Sequence, residues 1–430
     1  MDNTYYKSKY LETKQFTLNE YNNTDKSFPL YCPDHQPYLC GMETPSYGLC
    51  KEEPGQCNEY TGEQTYAIYD TTNEENRERL EYGEQFGYSL YKHDDKNCSQ
   101  MLLDSSHSYV SGTPLPNTFK IMTQNLWWSV KYKDDEEETK FHKDAFIIRM
   151  KEIAKVIREE NPDVICFQEV AQLSFDILHE LLHDIYPFYY EHEPHFDSDN
   201  FGSRKRTLET MCFSKYPVKK YELYGIGGNL AYNNSVLILE FENVVVFNVY
   251  LQAGTFKSPG QKDLWFNYSR CRYHEYLTIG RYLRNNNIDK PIVALGDFNT
   301  NLNGDVDQWP ELKAFRELGL QDLWKTRYDI NENPGNTEDT DVNLMRWNVK
   351  FEEKKYRIDG IFTTQDAFTV SDLRIVSDQP INIDSEMQEL FYKYRIPNKE
   401  NKDELIKRSN GQLQLWPSDH FGVIATLTLQ

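Results

Sequence analysis

Six short apolar runs, separated by segments of helical periodicity, restrict the folds that residues 117–430 of this chain can adopt. The first run, TFKIMTQNL at 118–126, alternates apolar and polar residues as a strand does. The other five are typical of short buried strands: DVICF (163–167), 233–241, VVVFNVYL (244–251), PIVAL (291–295) and ATLTL (425–429). Helical spacing occurs at 145–160, 173–185 and 262–286, and a charged loop is predicted at 131–139. Strands that alternate with helices in this way predict a layered α/β sandwich.

The composition of the 430-residue chain argues against two broad classes of protein. Aromatic residues make up 14% of the sequence, a fraction that a mostly disordered chain would lack. No run reaches about 18 apolar residues, so we predict no transmembrane segment. The net charge of −21 repels phosphate backbones and argues against general nucleic-acid binding. An enzyme that binds a phosphate group by way of a bound metal ion remains compatible with this charge, because the ion reverses the local field.

Residues 1–116 show little of the strand or helix periodicity found in the rest of the sequence. We predict that they form an N-terminal extension that ends at the proline-containing segment SGTPLPN. The extension is rich in Tyr, Glu and Asn, and one short stretch of it contains Cys32, Cys40, Cys50 and Cys57. Their spacings are wider than those of zinc knuckles, so we favour a small disulfide-stapled element, with free thiols as the alternative. We expect this Cys region to be the attachment point for an assembly partner.

The compartment is not assigned by the sequence. The first residues, MDNTYYKSKYLETK, lack the apolar core of a signal peptide, so we expect no secretory leader. A disulfide-containing extension would then need another route to an oxidising environment, and packaging in a virus particle is one such route. The abundance of Asn, Tyr and Lys is typical of an AT-rich genome, such as that of a large DNA virus or a protist.

Polar motifs with catalytic chemistry stand at the ends of the apolar runs. They are Gln124-Asn125, Gln168-Glu169, GDFN (296–299), Arg357-Ile358-Asp359 and SDH (418–420). Carboxylates that converge on one rim of a sheet repel one another unless a cation neutralises them, and oxygen ligands favour Mg²⁺ (or Mn²⁺) over Zn²⁺. A histidine there can stabilise charge on a phosphoryl oxygen, and an aspartate can align an attacking water. The set is sufficient for metal-assisted hydrolysis of a phosphate ester.

The order of these motifs resembles that of the endonuclease/exonuclease/phosphatase superfamily, which includes DNase I, abasic-site nucleases, neutral sphingomyelinases and tyrosyl-DNA phosphodiesterase 2. The motifs that carry the resemblance are QNLWW, FQEV, NVYLQAG, LGDFNT, RIDGIF and SDHFGV. It covers residues 117–430, which we therefore expect to be the catalytic domain. The fold it implies is a DNase I-like four-layer α/β (α+β) sandwich with two central, mostly antiparallel β-sheets flanked by helices.

The same resemblance implies which residues bind metal. Glu169 matches the principal Mg²⁺ ligand, and Asn125 matches the asparagine beside it. Asp419 matches a further contact to the metal or to its bound water. The resemblance thus assigns the acidic rim to a divalent cation.

Catalytic roles follow in the same way from the resemblance. Asp297 matches the residue that aligns the nucleophilic water, and Asn299 the residue that helps to hold the phosphate. His420 resembles the histidine that stabilises the transition state, oriented by Asp359. Tyr250 stands where sphingomyelinases and DNase I carry histidine and where abasic-site nucleases carry tyrosine. A phenol can still donate a hydrogen bond to a phosphate oxygen.

Three functions stay open at the level of sequence. The layout of 251–299, from LQAG through an arginine-bearing helix to GDFN, is similar to that of sphingomyelinases, which favours a phosphodiesterase acting on a phospholipid head group. A nuclease or DNA-repair phosphodiesterase acting on nucleic acid is the first alternative. The second is a catalytically inactive structural or binding module of a larger particle, for which Tyr250 is the one hint.

A rival motif, His179-Glu180-Leu181-Leu182-His183, matches the HExxH helix of zinc proteases. Its two histidines are one helical turn apart and could share a metal ion. The surrounding leucines form the apolar stripe of an ordinary amphipathic helix, so the histidines are expected on its solvent-facing side. We therefore interpret this segment as structural.

Overall fold

Two β-sheets pack face to face at the centre of the molecule, and helices cover both outer faces. The structure is a computed structural model that describes residues 16–17, 65–66, 107–108, 113–127, 136–191, 207–227, 234–254, 262–286, 288–343, 354–395 and 414–430. The four clustered cysteines and the disulfides predicted among them lie outside the described residues.

The elements alternate along the chain much as the sequence predicts. The described strands are β1 (Phe16–Thr17), β2 (Thr65–Tyr66), β3 (His107–Ser108), β4 (Thr118–Asn125), β5 (Val164–Ala171), β6 (Phe188–Glu191), β7 (Thr207–Ser214), β8 (Lys220–Gly227), β9 (Asn234–Glu240), β10 (Val245–Tyr250), β11 (Ile292–Asp297), β12 (Leu320–Asp322), β13 (Glu338–Asp339), β14 (Lys355–Tyr356), β15 (Asp359–Thr364), β16 (Phe368–Val376) and β17 (Gly422–Leu429). The described helices are α1 (Glu136–Glu160), α2 (Gln172–Leu182), α3 (Lys262–Asn285), α4 (Leu312–Glu317), α5 (Leu323–Arg327) and α6 (Ser385–Arg395).

Each large sheet is antiparallel except for one central parallel pair. The six-stranded sheet has the order β16-β17-β4-β5-β7-β6, and its parallel pair is β4 with β5. The seven-stranded sheet has the order β12-β15-β11-β10-β9-β8-β3, and its parallel pair is β10 with β11. The short pairs β1-β2 and β13-β14 stand apart from both sheets. Because parallel strands end at the same edge, each sheet presents two adjacent carboxyl ends.

Alternation along the strands builds the layers. In β5, Val164 and Cys166 face the other sheet, while Ile165 and Phe167 face α1 and α2. The opposite sheet repeats the pattern, with its outer face packed against α3 and α4. Three apolar layers therefore lie between four layers of secondary structure, which confirms the predicted sandwich with two mostly antiparallel sheets.

The predicted loop at 131–139 is partly wrong, because α1 begins at Glu136. Acidic residues in the first turn of a helix interact favourably with its positive end, so the charges that suggested a loop stabilise a helix start instead. Burial of Phe141 also extends the apolar face beyond the predicted beginning of the helix at 145. Among the described residues, no helix is both long and apolar enough to span a membrane.

Candidate active site

Four of the predicted site residues lie at the carboxyl ends of the two parallel strand pairs. Asn125 is the last residue of β4, and Glu169 lies near the end of its parallel neighbour β5. Tyr250 and Asp297 are the last residues of β10 and β11 and are paired with each other in register. The packing of the two sheets brings these four ends together at one edge of the sandwich.

The other predicted residues reach this edge from antiparallel strands and loops. Asp359 is the first residue of β15 and is the register partner of Asp297. Asp419 and His420 directly precede β17, which runs antiparallel to β4. Asn299 follows β11 by two residues. The structure therefore brings all eight residues to one site, although their catalytic roles remain predictions.

Three hydrogen bonds hold the buried carboxylate of Asp297. The side-chain amide of Asn125 donates to Oδ2 over 2.9 Å. Asn299 donates its backbone N–H to Oδ1 over 2.8 Å and its side-chain amide to Oδ2 over 3.2 Å. Gly296 before it has φ +146°, and a Cβ there would lie 1.9 Å from the carbonyl oxygen of Val249, so only glycine fits. The chain is thus built to present Asp297 in one orientation.

Glu169 occupies a β-bulge. The register between β5 and β7 shifts between Gln168 and Val170, and Glu169 has a φ of 53°, in the left-handed region. Its Oε1 accepts hydrogen bonds from the Asn125 amide and the Tyr250 hydroxyl, each over 3.3 Å. One amide therefore links the two carboxylates, Glu169 and Asp297.

His420 and Asp359 form a buried pair. Nδ1 of His420 lies 2.9 Å from Oδ2 of Asp359, and Nε2 lies 3.9 Å from Oδ1 of Asp419. Burial of the ring lowers the pKa of His420, but the charges of Asp359, Asp419 and Asp297 outweigh it and hold the pKa well above its usual range. This raised pKa favours the imidazolium form of His420, which can donate from Nε2.

The sequence match to a family model decides the identity of the fold. The model described as "Endonuclease/Exonuclease/phosphatase family" matches residues 122–420, well over half of the chain. The chain belongs to the endonuclease/exonuclease/phosphatase family. Members of this family are generally hydrolases that act on phosphodiester bonds.

Solved structures similar to this family member come from several enzymes. Truncated Caenorhabditis elegans TDP2 is 16% identical over 72% of this chain and 97% of that chain, with a TM-score of 0.46. Sphingomyelinase C from Streptomyces griseocarneus is 16% identical over 72% of this chain and 99% of that chain, with a TM-score of 0.47. An endonuclease/exonuclease/phosphatase from Beutenbergia cavernae is 20% identical over 73% and 72%, with a TM-score of 0.46. A search of curated proteins found no match.

Enzymes of the endonuclease/exonuclease/phosphatase family commonly depend on a divalent cation, and the donor atoms of this site fit one. Burial and the charge of Asp359 raise the pKa of Asp297 to about 8, the direction expected where several carboxyl groups crowd together without a cation. Oδ1 of Asp359 is buried and has no hydrogen-bond partner among the described residues. A bound cation would relieve both costs.

Two groups of residues compete for such a cation. Asp297, Asp359 and His420 each bring one ligand atom within 4.8 Å of the others. His420 is a poor ligand, however, because its Nδ1 is already bonded to Asp359 and its raised pKa disfavours the neutral ring that a metal ion needs. The carboxylate oxygens of the neighbouring Glu169 and Asp419 suit a hard cation better, whereas the side-chain oxygen of Asn125 accepts the backbone N–H of Trp127 over 2.8 Å.

Residues that the sequence reasoning missed hold the site loops of this family member in place. Arg149 donates from Nε to the Pro417 carbonyl over 3.0 Å and from Nη2 to the Leu126 carbonyl over 2.6 Å. It thereby joins the loop after Asn125 to the loop before Asp419. Its place beside the apolar stripe of α1 was the only sequence signal for this role.

A second buried arginine supports the chain that follows Tyr250. Arg272 pairs with Glu311 over 2.8 Å, and both side chains are fully buried. Its Nη1 also donates to the carbonyls of Gln252 and Gly254, each over 2.9 Å. The helix α3 and the loop after β11 are thus locked to the end of β10.

The HExxH histidines are used in packing. The His179 ring stacks on Phe175 with 5.4 Å between centroids and meets Tyr189 edge-on at 5.2 Å. Nδ1 of exposed His183 lies 3.0 Å from the carbonyl of Glu180. Within the part of the chain that the structure describes, the one group of three metal-ligating side chains is at the strand ends and excludes these histidines.

Proposed function

We propose that this protein hydrolyses phosphodiesters with water and that the reaction depends on Mg²⁺ or Mn²⁺. The observation that carries the proposal is the meeting of His420, paired with Asp359, and the buried side chain of Asp297. Asp297 can accept a hydrogen bond from a water molecule and so orient it. His420 can donate an N–H to a phosphoryl oxygen nearby. Displacement at phosphorus needs both functions.

In the proposed reaction, Asp297 aligns the attacking water, and Asn299 helps to hold the phosphate. The hydrogen bonds from Asn125 and Asn299 keep the Asp297 carboxylate oriented before substrate binds. His420 donates Nε2–H to a phosphoryl oxygen as negative charge develops there. Because Asp359 occupies Nδ1, the ring can present only Nε2 to the substrate.

Glu169, Asn125 and Asp419 would hold the cation. When bound, a divalent cation would neutralise the carboxylates and polarise the phosphoryl oxygen. The amide nitrogen of Asn125 meanwhile bridges Glu169 and Asp297. Substitution of Asn125 should therefore weaken both cation binding and turnover.

For the substrate, we propose a phospholipid head group, cleaved in the manner of a sphingomyelinase. Two features support this choice. The net charge of −21 disfavours a long polyanion more than a single head group. The segment from LQAG (251–254) to GDFN (296–299) also has the sphingomyelinase-like layout described above, with helix α3 between the two motifs.

A nuclease or DNA-repair phosphodiesterase is the second candidate, and Tyr250 favours it. Its hydroxyl donates to Glu169, so a phenol stands at the site where sphingomyelinases carry an imidazole. A phenol does not titrate near neutral pH and cannot replace an imidazole acid. The choice between the two candidates therefore depends on direct measurement.

The test is a Mg²⁺-dependent hydrolysis panel on the purified full chain. It contains sphingomyelin vesicles, plasmid DNA, an abasic-site duplex, a 5′-tyrosyl oligonucleotide and bis-p-nitrophenyl phosphate. We expect turnover that EDTA abolishes, that Glu169→Ala eliminates, and that Asp297→Asn lowers by at least about a hundredfold. Thr210→Val, at a buried hydroxyl with no hydrogen-bond partner among the described residues, is the matched control. Calorimetry showing no Mg²⁺ binding, together with no turnover, would favour the inactive structural module.

We also propose that residues 1–116 form an N-terminal extension, which joins the seven-stranded sheet through β3, and that Cys32, Cys40, Cys50 and Cys57 form disulfides within it and anchor an assembly partner. Their clustering in the sequence supports this proposal. Non-reducing mass spectrometry of freshly isolated native protein should find disulfides among them. Four free thiols would contradict the staple.

A further inference from the structure

Thr337, in the polar loop before β13, lies between the two halves of the histidine–aspartate pair. Its side chain is fully buried. Its Oγ1 accepts the backbone N–H of Ile358 over 3.1 Å and that of Asp359 over 3.0 Å. Its carbonyl oxygen accepts the N–H of Phe421, the residue after His420, over 2.8 Å. One residue is thus bonded to the backbone on both sides of the Asp359–His420 contact.

The two partners have no shared strand to align them. Asp359 begins β15 in the seven-stranded sheet, whereas His420 precedes β17 in the six-stranded sheet. Their side chains nevertheless meet over 2.9 Å, a distance within which small shifts matter because hydrogen bonds weaken steeply with misalignment. A residue that is bonded to the backbone of both partners can therefore set the geometry of this contact.

The loop that carries Thr337 supplies a second bond to the same region. Asn343, six residues later, donates from Nδ2 to the carbonyl of Ser418 over 2.7 Å, and both residues are buried. The loop is therefore attached before His420, through Ser418, and after it, through Phe421. This double attachment fixes the backbone of His420 while the Thr337 hydroxyl fixes that of Asp359.

We propose that Thr337 is a positioning residue that sets the contact between Asp359 and His420, an inference that rests on the proposed phosphodiesterase function. It is not among the residues that we propose to meet substrate or cation. Its hydroxyl holds the first residue of β15 at the distance at which Asp359 can orient the His420 ring. Loss of the hydroxyl leaves two buried N–H groups without an acceptor, so the start of β15 shifts and the pair loosens.

The test compares Thr337→Val, which removes the hydroxyl at nearly constant shape, with Thr337→Ser, which restores it. Thr363→Val is the matched control, because Thr363 is equally buried in β15 and its hydroxyl has no hydrogen-bond partner among the described residues. The substrate is bis-p-nitrophenyl phosphate with Mg²⁺. We expect Thr337→Val to lower kcat about 10- to 100-fold with KM changed less than about threefold. Thr337→Ser should regain most of the loss, and Thr363→Val should match the wild type.

A second readout does not depend on turnover. In protein labelled with ¹⁵N-histidine, the Nδ1–H resonance of His420, assigned by its loss in His420→Ala, reports the bond to Asp359. We expect this resonance to shift or broaden in Thr337→Val and to return in Thr337→Ser. If Thr337→Val does not fold, Thr337→Cys, whose sulfur is a weak acceptor, provides the same comparison.

The outcomes separate the two proposals. A wild-type protein that hydrolyses nothing would overturn the phosphodiesterase, while the resonance would still decide whether Thr337 positions the pair. An active wild type with unchanged kcat and an unchanged His420 resonance in Thr337→Val would overturn the positioning role. Equal losses in Thr337→Val and Thr363→Val would overturn it too, since they would indicate a general effect of threonine removal from the core.

Discussion

Oδ2 of Asp359 lies 2.9 Å from Nδ1 of His420, although the two residues are 61 positions apart and belong to different sheets. Both side chains are almost fully buried. Among the neighbouring carboxylates, Asp359 makes the largest contribution to holding the pKa of His420 well above its usual range. The pKa of the proposed catalytic histidine therefore depends strongly on this contact and on the residues that maintain it.

Loss of the partner charge should disable the histidine. We expect Asp359→Asn to lower turnover by about a hundredfold, because the neutral amide no longer favours the imidazolium. His420→Ala should cost at least as much. The double variant should be no worse than His420→Ala alone, since residues that act as a unit are not additive. Kinetic losses that multiply in the double variant would show that the two residues act separately.

The HExxH segment should be dispensable for activity. His179→Ala should leave turnover unchanged and cost about 1 kcal/mol of stability, because it removes the ring contacts with Phe175, Tyr189 and His183. His183→Ala, at an exposed position, is the companion variant and should change neither. Hydrolysis rates after EDTA treatment and addition of Zn²⁺ provide the check. Activity restored by Zn²⁺ alone and abolished by His179→Ala would favour the HExxH motif as the metal site.

Stability should fall at acidic pH partly through Glu160, at the end of α1. Arg374 of β16 donates to it from Nη1 over 3.0 Å, and this hydrogen bond from Arg374 lowers the pKa of Glu160. A depressed carboxyl pKa stabilises the fold above the unfolded value of about 4.3 and loses that effect as pH falls through the folded value. Glu160→Gln should thus cost under about 1 kcal/mol at neutral pH and nothing at an acidic pH below the folded pKa of Glu160.

Urea unfolding of wild type and Glu160→Gln at both pH values measures this difference. Glu152→Gln in the same helix is the control, because Glu152 pairs only with Lys155 on the helix surface. A Glu160→Gln deficit of equal size at both pH values would contradict an ionic origin.

Gly296 should be intolerant of any side chain. A Cβ at this position would lie 1.9 Å from the Val249 carbonyl oxygen, so Gly296→Ala should cost on the order of 4 kcal/mol and abolish soluble folded protein. Gly319 also has a positive φ, +69°, but has no atom within 4 Å of the Cβ position. Gly319→Ala should therefore cost only about 1 kcal/mol. Similar melting temperatures for the two variants would show that the clash at Gly296 is relieved by backbone movement.

Much of the fold could be predicted because its signals are local. The strand at 118–126 alternates every second residue, and the helix at 262–286 repeats every three to four, and both occur close to where predicted. The start of α1 was missed because its acidic first turn is as typical of a loop as of a helix start. Nothing in the periodicity of residues 131–139 could distinguish the two.

The candidate site divides in the same way. Asn125, Glu169 and Asp297 could be chosen from sequence because each stands at the end of an apolar run in a short motif. Thr337 and Arg272 could not, because nothing near them in sequence reveals the backbone atoms that they bind. Their partners lie at least 18 residues away in the sequence, and they come close only after the sheets and helices have packed.

The sequence by itself determined the order of strands and helices, the layered class of the fold and the identity of the polar residues at the strand ends. These depend on residue type and on spacing over a few positions, which the sequence displays directly. Only the tertiary structure decided that the ends of β4, β5, β10 and β11 meet, that a bulge places Glu169, and that Thr337 lies between Asp359 and His420. The physical reason is that the pairing and packing of distant strands set these distances, and a local pattern carries no record of its distant partners.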